Sequence, residues 1–326
     1  MKKLHHILET QQFDLEFLAD LFCLAEEIEE LLVSERLNKL SRVEKEKMRT
    51  YLKGKKMVSF FYQPSTRTRA SFEIAMRTLG GKVIFSTENA SEFSSAAKGE
   101  TLEDTIRVLN LYFPDVIVLR HFETGAAKRA ATISGVPIIN AGDGTGQHPT
   151  QALLDLYTIW KRFKKIDGLS IAMVGDLAKG RTIRSLAYLL GKYKGITVYF
   201  VSPPTLEIGK DIKDYLRRHG IKFFENDDLR EIANKVNVIY QTRIQKESLG
   251  DKVFFYEEIR EKCSISNVVL AKLPRDAIIM HPLPRDPKDG ELPTIVDRDG
   301  RAFYFIQAQN GLFIRAALLK MILVGY

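Results

Sequence analysis

The chain has 326 residues, 45% hydrophobic and 28% charged, an ordinary globular composition. This excludes a disordered chain, a collagen-like repeat and a small disulfide-stapled scaffold, and the length suits one large or two medium domains. Lys and Arg number 49 against 41 Asp and Glu, and the net charge of +8 suggests an anionic partner without choosing between nucleic acid, a membrane surface and small anions.

Over 12–50, Phe13, Phe17, Leu18, Leu21 and Phe22 recur at helical spacing, and Ala25, Ile28, Leu31 and Leu32 continue the stripe. An apolar run at 57–62 predicts a strand. Phe72, Ala75, Met76 and Leu79 then predict an amphipathic helix ended by Gly80-Gly81. A strand at 83–85 leads into a polar, small-residue segment at 88–99 that reads as a mobile loop. A helix over 101–112, a strand at 116–119, a helix near 124–134 and a strand at 136–139 follow. A helix near 149–163 leads to a second series: strand 170–174, helix 181–193, strand 197–201, helix 209–219, and strands at 222–224, 236–240 and 278–280. A helix over 309–323 closes the chain, with Leu312, Ala316, Leu319 and Leu323 on one face. Such alternation predicts an α/β fold of two domains, each a parallel sheet flanked by helices, joined near residue 150.

No run reaches the roughly 18 apolar residues of a membrane span. Met1-Lys2-Lys3-Leu4-His5-His6 is followed by no apolar signal region, so the cytoplasm is the expected location. Cys23 and Cys263 form neither a zinc cluster nor a redox pair, and both read as buried thiols of a reducing compartment.

Five motifs could carry chemistry. Gln63-Pro64-Ser65-Thr66-Arg67-Thr68-Arg69 joins a predicted strand to a predicted helix, and Ser65 or Thr66 can cap that helix. Free first-turn N–H groups, hydroxyls and guanidinium forks suit a phosphate; a capped helix with solvated arginines fits the residues equally well. Asp143-Gly144-Thr145-Gly146-Gln147-His148-Pro149-Thr150-Gln151 follows a strand, where His148 could polarise a carbonyl or serve only as a loop histidine. Val174-Gly175-Asp176 with Gly180-Arg181-Thr182 lacks the dinucleotide glycine pattern, and Arg181 could hold a carboxylate or be solvated. Tyr240-Gln241-Thr242-Arg243-Ile244-Gln245 puts a second arginine beyond a strand. Met280-His281-Pro282-Leu283-Pro284-Arg285 predicts a stiff, extended, proline-locked turn.

In this order, and with the closing Gln307-Ala308-Gln309-Asn310-Gly311-Leu312, the motifs resemble the aspartate/ornithine carbamoyltransferase family over nearly the whole chain. The resemblance implies a carbamoyl-phosphate-binding domain over 1–150, with a C-terminal helix at 308–326 packing back on it, and an amino-acid-binding domain over 151–307. Ser65, Thr66, Arg67 and Thr68 match the phosphate cradle, Arg120 the arginine on the phosphate and carbonyl side, His148 the histidine on the carbamoyl oxygen, and Gln151 the glutamine on the carbamoyl amide. Ser94 and Lys98 match a loop lent by a neighbouring subunit, which implies a homotrimer with shared sites and leaves room for a separate regulatory chain. Arg181, Arg243 and Gln245 match aspartate-binding groups, and Leu283 and Pro284 match backbone carbonyls that contact substrate. Arg67, Thr68, Arg120, His148 and Lys98 are the expected catalytic set.

The implied reaction is carbamoyl transfer from carbamoyl phosphate to the α-amine of aspartate in pyrimidine biosynthesis, with no metal, cofactor, nucleic acid or membrane. Two arginines favour a dicarboxylate over ornithine or another amino acid, and neither cysteine lies at the fifth motif, where the ornithine branch has one. The chain departs from the family pattern at Gln63, where an acidic residue is usual, and at Ala97, where some members carry a second lysine. A neutral amide at Gln63 cannot form the same ionic contact.

Overall fold

A computed structural model describes residues 5–244, 256–286 and 290–325, and the chain divides into two compact units, Met1–Leu154 with Gln309–Tyr326 and Asp155–Ala308. Unit 1 opens with α1 (Leu15–Arg36), capped by the Asp14 carboxylate, which accepts the Phe17 N–H at 2.8 Å. The long helical stripe of the sequence is broken after it. Asn38 turns the chain with φ +54°, and α2 (Arg42–Met48) restarts on a Ser41/Glu44 capping box.

The alternating part of unit 1 comprises β1 (Lys56–Phe61), α3 (Thr66–Thr78), β2 (Lys82–Thr87), α4 (Ala90–Phe93), α5 (Leu102–Asn110), β3 (Val116–His121), α6 (Ala126–Ile133) and β4 (Ile138–Asp143). All pairs are parallel, in the order β2-β1-β3-β4. β1, β3 and β4 are nearly continuously buried, as strands covered on both faces must be, while the edge strand β2 is largely exposed. The polar segment expected as a loop instead carries α4 and a 3-10 turn at Ser95–Lys98.

Gly80 turns the chain out of α3 with φ +88°, and a Cβ there would lie 1.7 Å from the Arg49 carbonyl oxygen. Only glycine satisfies both the left-handed backbone and that close approach.

The helix α7 (Pro149–Phe163) contains the division between the units. Unit 2 continues with β5 (Ser170–Val174), α8 (Arg181–Leu190), β6 (Thr197–Val201), α9 (Lys210–Arg218), β7 (Lys222–Asn226), β8 (Val238–Gln241), α10 (Tyr256–Cys263), α11 (Asn267–Lys272) and β9 (Ile278–Met280). Its sheet is also parallel, in the order β7-β6-β5-β8-β9. Val174, Ile239, Ile279, Val269 and Val296 belong to one buried cluster.

The last helix, α12 (Tyr304–Leu323), belongs to unit 1 from Gln309 onward, where Ile314, Ala317, Leu318 and Leu319 are fully buried. Arg315 fastens it to α3: Nη1 donates to Ser71 Oγ at 2.8 Å, and the guanidinium lies 5.4 Å from the Phe72 ring centroid. The chain thus returns to the first domain, as the resemblance implies.

Of the two cysteines, only Cys23 departs from expectation. Cys263 is buried, but Cys23 is exposed because it lies off the Leu21–Phe22–Ala25 face of α1. No described helix is long and apolar enough to cross a membrane. Among the described residues no group of three His, Cys, Asp or Glu side chains could hold a metal ion.

Candidate active site

In each sheet the strand order reverses once, and ligands of open α/β sheets bind at the carboxyl ends of the strands beside that reversal. In unit 1 the reversal falls between β1 and β3. There Phe61 pairs with Arg120, and the Tyr62 N–H donates to the Arg120 carbonyl at 2.9 Å. The segment after β1 starts α3, so Ser65–Thr68 and Arg120 emerge side by side from the same sheet edge.

Pro64 and the extended Ser65 open α3, whose Phe72, Ala75 and Met76 face is buried. Ser65 is the N-cap by position, but its hydroxyl takes no first-turn N–H. The N–H groups of Thr66, Arg67 and Thr68 have no acceptor among the described residues. This corrects the capping expected of Ser65 or Thr66 and leaves the positive end of a 13-residue helix open to an anion.

The two arginines of the motif differ. Arg69 is consumed within the fold: it pairs with Glu88 at 3.0 Å, lies 3.7 Å from Glu73 and donates to Ser86 Oγ at 3.0 Å. Arg67 reaches solvent and has no ion pair or hydrogen bond among the described residues. Desolvation by the surrounding protein lowers its pKa from the ordinary arginine value, with no carboxylate to offset it.

His148 is buried at the entrance of α7, with Nε2 3.5 Å from Thr68 Oγ1, so the first and second motifs meet. Gln151 lies one turn further along α7, also buried. Arg120 Nη1 donates to the Ala141 carbonyl at 3.2 Å, which holds its guanidinium along the same edge. Ser94 and Lys98 form no hydrogen bond with these groups within one chain. The Ser94 hydroxyl donates to the Ala90 carbonyl and accepts the Ala96 N–H, and exposed Lys98 has no described partner. Gln63, half-buried, makes no side-chain hydrogen bond among the described residues.

In unit 2 the reversal falls between β5 and β8. Gly175 follows β5 with φ +120°, and a Cβ there would meet the Thr242 carbonyl oxygen at 2.4 Å. Thr242, just past β8, donates from N and Oγ1 to the Val174 carbonyl at 2.8 and 2.9 Å. The exits of β5 and β8 are therefore packed together, with Arg181 opening α8 beyond one and Arg243 exposed beyond the other. Arg243 has no ion pair or hydrogen bond among the described residues. Gln245 lies outside the described residues.

The fifth motif is a tight turn, not the extended one expected. Leu283 has φ +51°, the Leu283–Pro284 peptide is cis, and the Leu283 N–H donates to His281 Nδ1 at 2.8 Å.

The carbamoyl-P binding domain model of aspartate/ornithine carbamoyltransferases matches residues 5–161, and the Asp/Orn binding domain model matches 167–322. The chain is 54% identical to aspartate carbamoyltransferase 2, chloroplastic, of Pisum sativum, covering 99% of this chain and 80% of that one. It is 44% identical to the aspartate carbamoyltransferase catalytic subunit of Methanocaldococcus jannaschii, covering 98% and 97%. Aspartate transcarbamoylase from Trypanosoma cruzi, solved with carbamoyl phosphate and aspartate, superposes with a TM-score of 0.87 at 35% identity, covering 98% of this chain and 96% of that one.

The chain belongs to the aspartate/ornithine carbamoyltransferase family.

One expectation falls with this finding. The cytoplasmic location read from the N-terminus is overturned, because four plant relatives of 53–54% identity are described as chloroplastic. Three buried carboxylates to which the motifs assign no role hold the segments around the candidate site residues in place. The buried Asp143 carboxylate accepts the Gln147 N–H at 2.9 Å and the Gly125 N–H at 2.7 Å, and so shapes the loop that delivers His148.

In unit 2, the buried Glu291 carboxylate accepts the Ile244 N–H at 2.8 Å, next to Arg243. Burial raises its pKa despite two backbone N–H donors and the charge of Arg243. Buried Asp155 accepts from Tyr240 Oη at 2.7 Å and from Gln307 Nε2 at 2.6 Å, while Gln307 Oε1 accepts the His281 N–H at 2.8 Å. That chain of bonds ties β8 to the His281–Leu283 turn. The Asp-Gly-Thr-Gly spacing was the available signal for Asp143; the partners of Asp155 and Glu291 lie far away in sequence.

Proposed function

We propose that the protein transfers the carbamoyl group of carbamoyl phosphate to the α-amine of L-aspartate, giving N-carbamoyl-L-aspartate and phosphate, as a step of pyrimidine synthesis. The observation that carries the reading is the open, positive α3 N-terminus with unpaired Arg67, beside Arg120 and His148 on one sheet edge. Residues 1–150 with 308–326 bind carbamoyl phosphate, and 151–307 bind the amino acid. Ser65, Thr66, Arg67 and Thr68 hold the phosphate, Gln151 holds the carbamoyl amide, and the Leu283 and Pro284 carbonyls orient the substrates. Arg181, Arg243 and Gln245 hold the aspartate carboxylates.

The neutral amine attacks the carbonyl carbon. Negative charge then grows on the carbonyl oxygen, and Thr68, Arg120 and His148 donate to it. Phosphate departs, and one of its oxygens takes the amine proton. Holding both reactants in attack geometry supplies up to roughly 7–11 kcal/mol of the barrier reduction.

A homotrimer completes each site with Ser94 and Lys98 of a neighbouring chain. That these residues have no bond to the cradle within their own chain supports this arrangement. The aspartate reading is tested by supplying carbamoyl phosphate with a panel of amino acids and measuring carbamoylated product. Carbamoyl-aspartate with stoichiometric phosphate is the expected outcome; citrulline from ornithine would transfer the chain to the other branch of the family.

A further inference from the structure

The N-cap of α3 is unlike the other serine N-caps of the described α-helices. Ser41 holds ψ 158°, its N–H donates to Glu44 of its own first turn at 2.9 Å, and its hydroxyl accepts the Glu44 N–H; Ser266 holds ψ 168° and its hydroxyl accepts the Val269 N–H. That is the ordinary arrangement, in which an extended N-cap residue satisfies a first-turn donor. Ser65 instead has φ −159° and ψ 78°, and its hydroxyl caps nothing.

The reason lies across the sheet edge. Glu88 follows β2 directly, and β2 pairs with β1 up to Phe60 and Thr87, so Glu88 leaves the sheet beside the start of α3. Its Oε1 accepts the Ser65 backbone N–H at 2.7 Å, and its Oε2 pairs with Arg69 Nη2 at 3.0 Å. Unlike Glu44, which reaches back from its own helix, this carboxylate reaches Ser65 from a neighbouring strand end and is fixed there by Arg69. Asn89, with φ +61°, turns the chain away immediately afterwards.

We propose that Glu88 is a positioning residue that holds Ser65 out of its capping geometry and so keeps the first-turn N–H groups of α3 open for the substrate phosphate. The inference rests on the reading of α3 as the phosphate cradle. Without the tether to the end of β2, Ser65 relaxes to the geometry seen at Ser266, whose hydroxyl caps its helix. Its hydroxyl then occupies a donor that the phosphate needs, and the ligand must displace it.

The test compares full-length wild type, Glu88→Ala and Glu88→Gln. Inorganic phosphate affinity is measured by calorimetry, and KM and kcat are measured for both substrates. Glu88→Ala is expected to weaken phosphate binding and raise the carbamoyl phosphate KM by about five- to tenfold, the scale of one capping hydrogen bond. The aspartate KM and the kcat at saturation should stay within about twofold of wild type. Glu88→Gln keeps an oxygen acceptor for the Ser65 N–H and loses the ion pair, so it should recover most of the phosphate affinity. Unchanged or tighter phosphate binding by Glu88→Ala would overturn the proposal, since the carboxylate would then be a bystander or a competitor. Failure of Glu88→Gln to bind better than Glu88→Ala would also overturn it, by assigning the effect to Arg69. If wild type itself binds no phosphate, the cradle reading falls instead.

Discussion

Arg67→Ala is expected to reduce turnover by roughly 10²- to 10³-fold, because it removes a guanidinium at the α3 N-terminus that no protein group uses. Arg69→Ala should lower the melting temperature, since Arg69 ties α3 to β2 through Glu88 and Ser86. Steady-state kinetics beside thermal unfolding separates the two outcomes. The sequence could list both arginines but not divide their roles. Glu88 lies 19 residues beyond Arg69 in the chain and meets it only through the β1–β2 pairing. Glu291 allows a prediction about pH. Burial raises its pKa, so the folded protein binds that proton more tightly than the unfolded chain does. The resulting stabilisation is fully present below the ordinary value of 4.5 and is lost as pH rises through the folded-state value. Denaturant unfolding of wild type and Glu291→Gln from about pH 4 to pH 8 should show wild type losing ground to the variant across that window, then running parallel above it.

At the scale of elements, Gly80→Ala should destabilise unit 1 by on the order of 3 kcal/mol, measured by urea unfolding. The new Cβ would collide with the backbone oxygen of Arg49, and backbone cannot move aside as a flexible side chain can. The sequence marked this turn by its paired glycines and also marked the strands, because parallel strands covered on both faces read as apolar runs. Strands 170–174, 197–201 and 278–280 coincide with β5, β6 and β9. What escaped notice was short or polar. α4, α10 and α11 span four, eight and six residues, too few for helical periodicity to stand out, and the first of them lies in a stretch with little apolar patterning. The break between α1 and α2 was missed because apolar spacing continues across it, whereas Asn38 sets the chain direction through its backbone.

For the whole molecule, the charge of +8 says little beside its local cations, of which Arg67 and Arg243 form no ion pair or hydrogen bond among the described residues. If neighbouring chains share sites, Arg67→Ala and Lys98→Ala proteins are each inactive alone. Mixing them after dissociation should restore activity, since each mixed trimer assembles about one native site in three. Recovery well below that level under conditions that re-form trimers would contradict site sharing. The return of α12 to unit 1 has a consequence for how the protein is made. Unit 2 is continuous in the chain, whereas unit 1 lacks its last buried helix until Gln309–Tyr326 has been synthesised. At roughly 5–20 residues per second, the first half of the polypeptide waits on the order of 10 to 30 seconds on the ribosome for the segment that seals its core. The N-terminal unit is therefore the last to mature. A chain truncated after Ala308 and released should show protease-resistant unit 2 beside protease-sensitive unit 1, the reverse of the usual N-to-C order of folding.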